Sequence, residues 1–245
     1  MIFFLQKLKQ KFGSYLIQSK LKDFYYHYLE KKYEKNSDQR SLNIDWKSKN
    51  FNRIALVNLL LSNFQNPEYL EIGCATNELF DSIPFTKKIG VDPIEGGNIR
   101  KTSDAFFKEN KKLFDVVFID GLHTYEQVRK DIINSINSIN GNGWVALHDM
   151  LPRNWKEQHF PMLNGPWTGD VWKVAFEIMQ SKGLDFKIVF IDYGVGIIKV
   201  KNNKAILKDL RKELKDAKVN YYFDNFKKLP IIEWDEALDW IGKNK

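Results

Sequence analysis

Four side chains invite a chemical reading. Asp120 and His123 lie in Phe118-Ile-Asp-Gly-Leu-His123, and His148 and Asp149 close Trp144-Val-Ala-Leu-His-Asp149. Each pair follows an apolar run typical of a buried strand, so both fall at predicted strand ends and can converge. Two carboxylates with an imidazole suit a divalent cation that takes oxygen and nitrogen ligands. Without a cation, His123 or His148 has an ordinary pKa suited to taking a hydroxyl proton near neutrality. A plainer reading is that His123 caps its helix and Asp149 caps a loop.

The elements that must position these residues alternate. Strands are expected at 69–73, 88–92, 114–120 and 143–148, and helices at 77–82, 103–112 and 124–139. Such alternation predicts an α/β fold, a doubly wound Rossmann-like parallel sheet with helices on both faces. Ligands of such sheets bind at the C-terminal ends of the strands, where all four residues fall. Gly141-Asn-Gly143 reads as the turn into the fourth strand.

A second set of candidates precedes them. Glu71 to Asn77 reads as a strand end running into a tight turn bent at Gly73, where small residues let a ligand approach the backbone. Asp92, past the next apolar run, can accept both hydroxyls of a ribose. Ser103 and Asp104 open a helix, either as a plain N-cap or as contacts to an adenine.

The flanks are less regular. Residues 1–35 carry apolar positions at spacings of three and four with lysines between them. This reads as a helix packed on the domain or on a second subunit, or as a basic amphipathic helix on a membrane surface. Residues 36–50 read as a linker or a loop over the site, and 51–64 as a helix closed by Asn66-Pro67. The long segment 150–169 holds Arg153, His159 and Trp167 as candidates to shape an acceptor pocket, with Asp170 and Trp172 just beyond. A helix is expected at 170–182, then a hairpin at 186–200 through Tyr193-Gly194. A charged helix at 203–218 and one more at 219–245 complete the chain. The expected division is 1–50, a helical extension and linker; 51–202, the main domain; and 203–245, a helical cap.

Composition bounds the partners. The 245 residues carry a net charge of +7 spread along the chain, without a dense basic run, which argues against specific nucleic-acid binding. The single cysteine, Cys74, excludes an internal disulfide and is compatible with a reducing cytosol. No apolar run approaches a membrane span.

The stretch from about 68 to 200 resembles the class I S-adenosylmethionine-dependent methyltransferases. It is most similar to the small-molecule and sugar O-methyltransferase branch, through Phe118, Ile119, Asp120, Gly121, His123, Tyr125 and Glu126. The resemblance implies a seven-stranded sheet whose last strand is antiparallel. It implies that Glu71, Gly73, Ala75 and Asn77 form the turn holding the methionine part of S-adenosyl-L-methionine, that Asp92 binds the ribose, and that Ser103 and Asp104 lie near the adenine, with Asp120 also on the cofactor side. It further implies Mg2+ held by Asp120 and Asp149, with Asp120, His123 and His148 as the catalytic candidates. The turn departs from the family in having Ala75 and Asn77 where further glycines are usual. His148 stands where a second acid or amide is common beside the last metal ligand.

The activity so implied is methyl transfer to a hydroxyl of a small molecule, a sugar or glycan precursor among the candidates, with a homodimer compatible with the helical N-terminus. A non-catalytic binding module in a glycan-assembly or membrane complex is the alternative. A nicotinamide-dependent oxidoreductase is disfavoured, because the turn lacks Gly-x-Gly-x-x-Gly.

Overall fold

The computed structural model describes residues 22–201 and 205–244. Their seven strands form one mixed sheet: β1 (Tyr69–Ile72), β2 (Lys88–Val91), β3 (Phe114–Ile119), β4 (Ile139–Leu147), β5 (Leu184–Val189), β6 (Val195–Val200) and β7 (Ile231–Ile232). The spatial order is β2-β1-β3-β4-β6-β5-β7. β1 runs parallel to β2 and β3, and β3 parallel to β4. β6 is antiparallel to both β4 and β5. It is the last strand of residues 51–202, as the resemblance implies. The chain leaves β1 toward one edge and returns toward the other at β3, so the crevice of a doubly wound sheet opens between these two strands.

The helices are α1 (22–34), α2 (Arg53–Leu61), α3 (Glu78–Ser82), α4 (Ser103–Glu109), α5 (Tyr125–Asn137), α6 (Trp172–Met179), α7 (Arg211–Leu214), α8 (Val219–Asn225) and α9 (Trp234–Lys243). Alternate strand residues face opposite sides of the sheet. Val117 and Ile119 of β3, with Val145 and Leu147 of β4, pack among side chains of α4, α5, α6 and α8. Val116, Phe118, Trp144 and Ala146 pack among those of α2, α3 and α9. Both faces are therefore covered, and the open place for a ligand is the strand ends.

Several expectations change. Gly141 to Gly143 lie within β4, whose pairing with β3 shifts register between Phe114 and Val116. Asn142 takes φ +67 there, so the segment is an irregularity inside the strand and not a turn before it. Residues 36–50 are not a loop over the site. Leu42 N–H bonds Arg153 O, and Trp46 is buried against Phe190 and Tyr193. Within 205–218 only Arg211–Leu214 is helical, because Ile206 bridges Lys182 and the Asp209 carboxylate takes the Arg211 N–H. The C-terminal part is not a purely helical cap. Pro230 and the two-residue β7, which extends the sheet beside β5, separate α8 from α9. α9 then starts on a reciprocal cap between Glu233 and Glu236.

α1 packs on the domain through Leu29 and through Tyr33, whose ring lies 4.4 Å from that of His159. The rest of the expected N-terminal helix, 1–21, lies outside the described residues. Among the described residues, no helix is long and apolar enough to cross a membrane.

Candidate functional site

A cavity of about 890 Å³ opens at the strand ends. Each of β1 to β4 sends a turn into it: Gly73 and Ala75 after β1, Asp92 to Ile94 after β2, Asp120 to His123 after β3, and His148 and Asp149 after β4. Ser103, Asp104 and Gln127 line it from α4 and α5. Arg53, Trp167, Asp192 and Tyr193 complete the wall.

The β1 turn depends on Gly73. Its φ is +85°, and a Cβ there would run into the main chain of Asp120 and Gly121. Two turns thus lie backbone to backbone, which no larger residue permits. Ala75 (φ +42) and Asn77 (φ +66) also take left-handed geometry, which Asn tolerates best among non-glycine residues. Asn77 does not line the cavity. Its side-chain oxygen accepts the Gly97 N–H at 2.6 Å and ties the turn to the loop after β2. Glu71 also stands behind the wall, buried on β1 and accepting the Tyr69 hydroxyl at 2.7 Å. Burial pushes its carboxyl up to about 7, against the lowering effect of that hydrogen bond.

Asp92 lines the cavity, but its carboxylate is already engaged. Oδ2 accepts the N–H groups of Cys74 and Ala75, and Oδ1 those of Ile94 and Glu95. A carboxylate offers about four acceptor sites, so Asp92 fastens the β1 turn to the β2 turn, and a ribose hydroxyl there would have to share it. Burial opposes ionisation, but these four bonds hold the carboxyl below its usual range.

Ser103 does not cap α4. Thr102 does, accepting the Ala105 N–H. Ser103 and Asp104 instead share the Gln127 side-chain amide, whose Nε2 lies 3.1 Å from Ser103 Oγ, 3.0 Å from Asp104 Oδ1 and 3.1 Å from Asp131 Oδ1.

The four chemical candidates do converge. His123 Nε2 is 3.2 Å from Asp120 Oδ1, and its Nδ1 is 3.2 Å from Asp149 Oδ2 and 3.1 Å from the Trp167 carbonyl. His148 Nδ1 is 3.3 Å from Asp120 Oδ1 and 3.4 Å from Asp149 Oδ1, and its Nε2 is 3.5 Å from Asp192 Oδ1. Burial disfavours charging His148, but the Asp149 and Asp120 carboxylates outweigh it and hold the imidazole well above its ordinary pKa. For His123 burial is again outweighed, by the Asp120 hydrogen bond and the Asp149 charge. Asp120, buried beside both rings, is held below the carboxylate range by the charge of His148 and the hydrogen bond from His123. Oxygen and nitrogen atoms of Asp120, His123 and Asp149 lie within 4.8 Å of one another, a donor set that fits a divalent cation.

Sequence reasoning missed Arg53, Gln127 and Asp192. Asp192 reads as part of a hairpin turn, yet it follows the apolar end of β5. That strand runs parallel to β4, so its end reaches the same sheet edge. Asp192 Oδ2 accepts the Arg53 main-chain N–H at 3.1 Å and its guanidinium at 2.9 Å. Arg53 in turn reaches Glu78.

Of the loop candidates only Trp167 lines the cavity, its ring stacked on His123 with centroids 5.3 Å apart. Arg153 pairs with Glu157, and His159 packs against Tyr33 and Trp155. Asp170 takes the Tyr125 N–H, and Trp172 is core.

Residues 90–150 match the family model of a methyltransferase domain. No curated protein matches the chain. Among solved structures, the chain is similar to the MycE methyltransferase of the mycinamycin biosynthetic pathway, in complex with Mg, SAH and mycinamycin VI (17% identity, 57% of this chain and 46% of that chain, TM-score 0.38). It is also similar to cofactor-bound Rv0187 from MTB (11%, 81% and 95%, 0.46) and to a putative O-methyltransferase from Klebsiella pneumoniae (10%, 75% and 99%, 0.47). The match spans under half of the MycE chain. At such identities these likenesses carry no function across.

Proposed function

We propose that this chain, which matches the family model of a methyltransferase domain over residues 90–150, is an S-adenosyl-L-methionine-dependent O-methyltransferase acting on a hydroxyl of a small molecule, a sugar or glycan precursor among the candidates. The observation that carries this reading is one cavity holding both the Gly73 turn and the Asp120–His123–Asp149 cluster. The cavity suits a ligand of the cofactor's size. The Gly73 and Ala75 backbone would accept its methionine part, and Ser103 with Asp104 its adenine. The cofactor supplies an electrophilic methyl group.

The chain's own residues must then bring a hydroxyl to that methyl and take its proton. His123 is better placed for this than His148. Its Nδ1 faces the Trp167 carbonyl, which requires N–H at that atom; Nε2 would take the proton and, once protonated, donate to Asp120. Both rings have a carboxylate near each nitrogen, but His148 is the more deeply buried, so it would serve as a counter-charge. Asp120, His123 and Asp149 would hold a divalent cation, which lowers the pKa of a bound hydroxyl. His148 Nδ1 faces both carboxylates of that set, so the imidazolium and a cation would compete for them. Trp167 and Leu122 would flank the acceptor. Residues 51–202 form the proposed catalytic unit, on which the described parts of the flanking segments pack through residues such as Leu29 and Ala237.

The test is incubation with methyl-labelled S-adenosylmethionine and a panel of hydroxylated sugars and phenols, with and without EDTA. Label in an acceptor is the expected result. Transfer that survives EDTA leaves His123 or His148 as the base, and transfer lost to EDTA and restored by Mg2+ assigns proton removal to the cation. Cofactor binding without transfer to any acceptor favours the non-catalytic module.

A further inference from the structure

Gln127 has no part in the chemistry above, yet it lines the cavity and its amide is unusually constrained. Nε2 carries two N–H groups. Three oxygens surround it within 3.1 Å: Ser103 Oγ, Asp104 Oδ1 and Asp131 Oδ1. A carbonyl oxygen could not occupy that place against two carboxylates, so the amide has one orientation. Asp131 backs this arrangement. It is 1% exposed, its Oδ2 is buried without a hydrogen-bond partner, and burial pushes its carboxyl up to about 6. Such a group is costly to bury, and here it anchors one side chain at the cavity wall. With Nε2 held by these three oxygens, Oε1 is the free end of the amide, and among the described residues no hydrogen bond reaches it.

On the cofactor reading above, we propose that Gln127 is the residue that reads the base of the cofactor: its Oε1 and the Asp104 carboxylate make an acceptor pair for the exocyclic amino group of adenine. A purine with a keto oxygen at that position presents an acceptor to acceptors. The site therefore discriminates the amino base from its deaminated form. This places Gln127 as a specificity residue and Asp131 as the group that positions it. Hydrogen-bonding sites reject a ligand lacking the matching donor far more strongly than apolar sites reject a small change in size.

The experiment is isothermal titration of the full chain with S-adenosylhomocysteine and with its deaminated analogue, S-inosylhomocysteine. The wild type is expected to bind the adenine form at least about tenfold more tightly, which corresponds to about 1.4 kcal/mol. Gln127→Met, of similar length but without the amide, is expected to reduce that ratio to near one. A role in packing alone would weaken both ligands together and leave the ratio intact. Asp131→Asn is expected to lower the ratio less than Gln127→Met.

Equal binding of the two ligands by the wild type overturns the assignment without any variant, so a misfolded variant does not shield it. A ratio unchanged in a folded Gln127→Met also overturns it. Binding of neither ligand removes the cofactor reading, and this proposal with it, whereas binding of the adenine form alone by both wild type and Gln127→Met removes only this proposal.

Discussion

His123 and Asp149 meet at 3.2 Å, Nδ1 to Oδ2, although one residue follows β3 and the other follows β4. The contact exists because β3 and β4 are parallel neighbours, so their turns leave the same edge of the sheet. Asp149 makes it from a left-handed backbone (φ +61), uncommon for a residue other than glycine and of a kind concentrated at functional sites. In Asp149→Asn the carboxylate is lost at that contact and in the cation donor set. If Asp120, His123 and Asp149 hold a cation, Mg2+ or Mn2+ will raise the unfolding temperature of the EDTA-treated wild type and have little effect on Asp149→Asn. A ligand at about 100 times its Kd stabilises by about 2.7 kcal/mol. No metal-dependent shift in the wild type leaves proton removal to a histidine, His123 or His148.

Gly73→Ala tests the cradle. The added methyl meets the Asp120 and Gly121 main chain and sits on a backbone of φ +85. Strain at such a position costs roughly 1–3 kcal/mol. Denaturant unfolding is expected to show that loss together with weakened cofactor binding. A variant as stable as wild type would mean the two turns are not held backbone to backbone.

Glu71 sets a pH dependence of stability. Its carboxyl is raised from 4.5 to about 7 in the folded chain. Below the unfolded value both states hold the proton. Between the two values the folded state keeps a proton that the unfolded chain has released, so stability falls as pH rises. Above about 7 the effect is complete, and a gap of this size corresponds to roughly 3 kcal/mol. Glu71→Gln is expected to be relatively more stable at about pH 8 than at about pH 5 when each is compared with wild type. Denaturant melts at the two pH values check this, and parallel pH profiles would refute it.

The Arg53 pairs should differ in weight. Asp192 is largely buried, with 14% of its side chain exposed, and accepts both the α2 N-terminal N–H and the guanidinium, whereas Glu78 is 60% exposed. Asp192→Ala strands a buried donor and is expected to cost about 1–3 kcal/mol. Glu78→Ala removes an exposed pair worth under about 1 kcal/mol. Equal losses in thermal unfolding would contradict this ranking.

The sequence was most legible where an apolar run ends in polar residues. The strand ends that deliver Gly73, Asp92, Asp120 and Asp149 follow from period and composition, because parallel strands put their C-terminal residues on one edge. Asp192 carries no signal of its own, because it falls in the turn of the expected hairpin, and only the strand order shows that β5 shares that edge. Gln127 was missed because its position on α5 carries no local signal; three oxygens from distant residues define its role. Asn77 shows the converse case. A residue at the expected motif position spends its side chain on Gly97 and leaves the ligand to the backbone around it. The charged run after residue 204 looked helical by composition, but Ile206 pairs with Lys182 and leaves only Arg211–Leu214 to coil.

The central claim is that this cavity holds S-adenosylmethionine. Isothermal titration of the chain with that ligand tests it most directly. The account predicts saturable binding at one site per chain, weakened in Gly73→Ala. Absence of binding by the folded wild type, with no shift of its unfolding temperature on addition of the ligand, would contradict it.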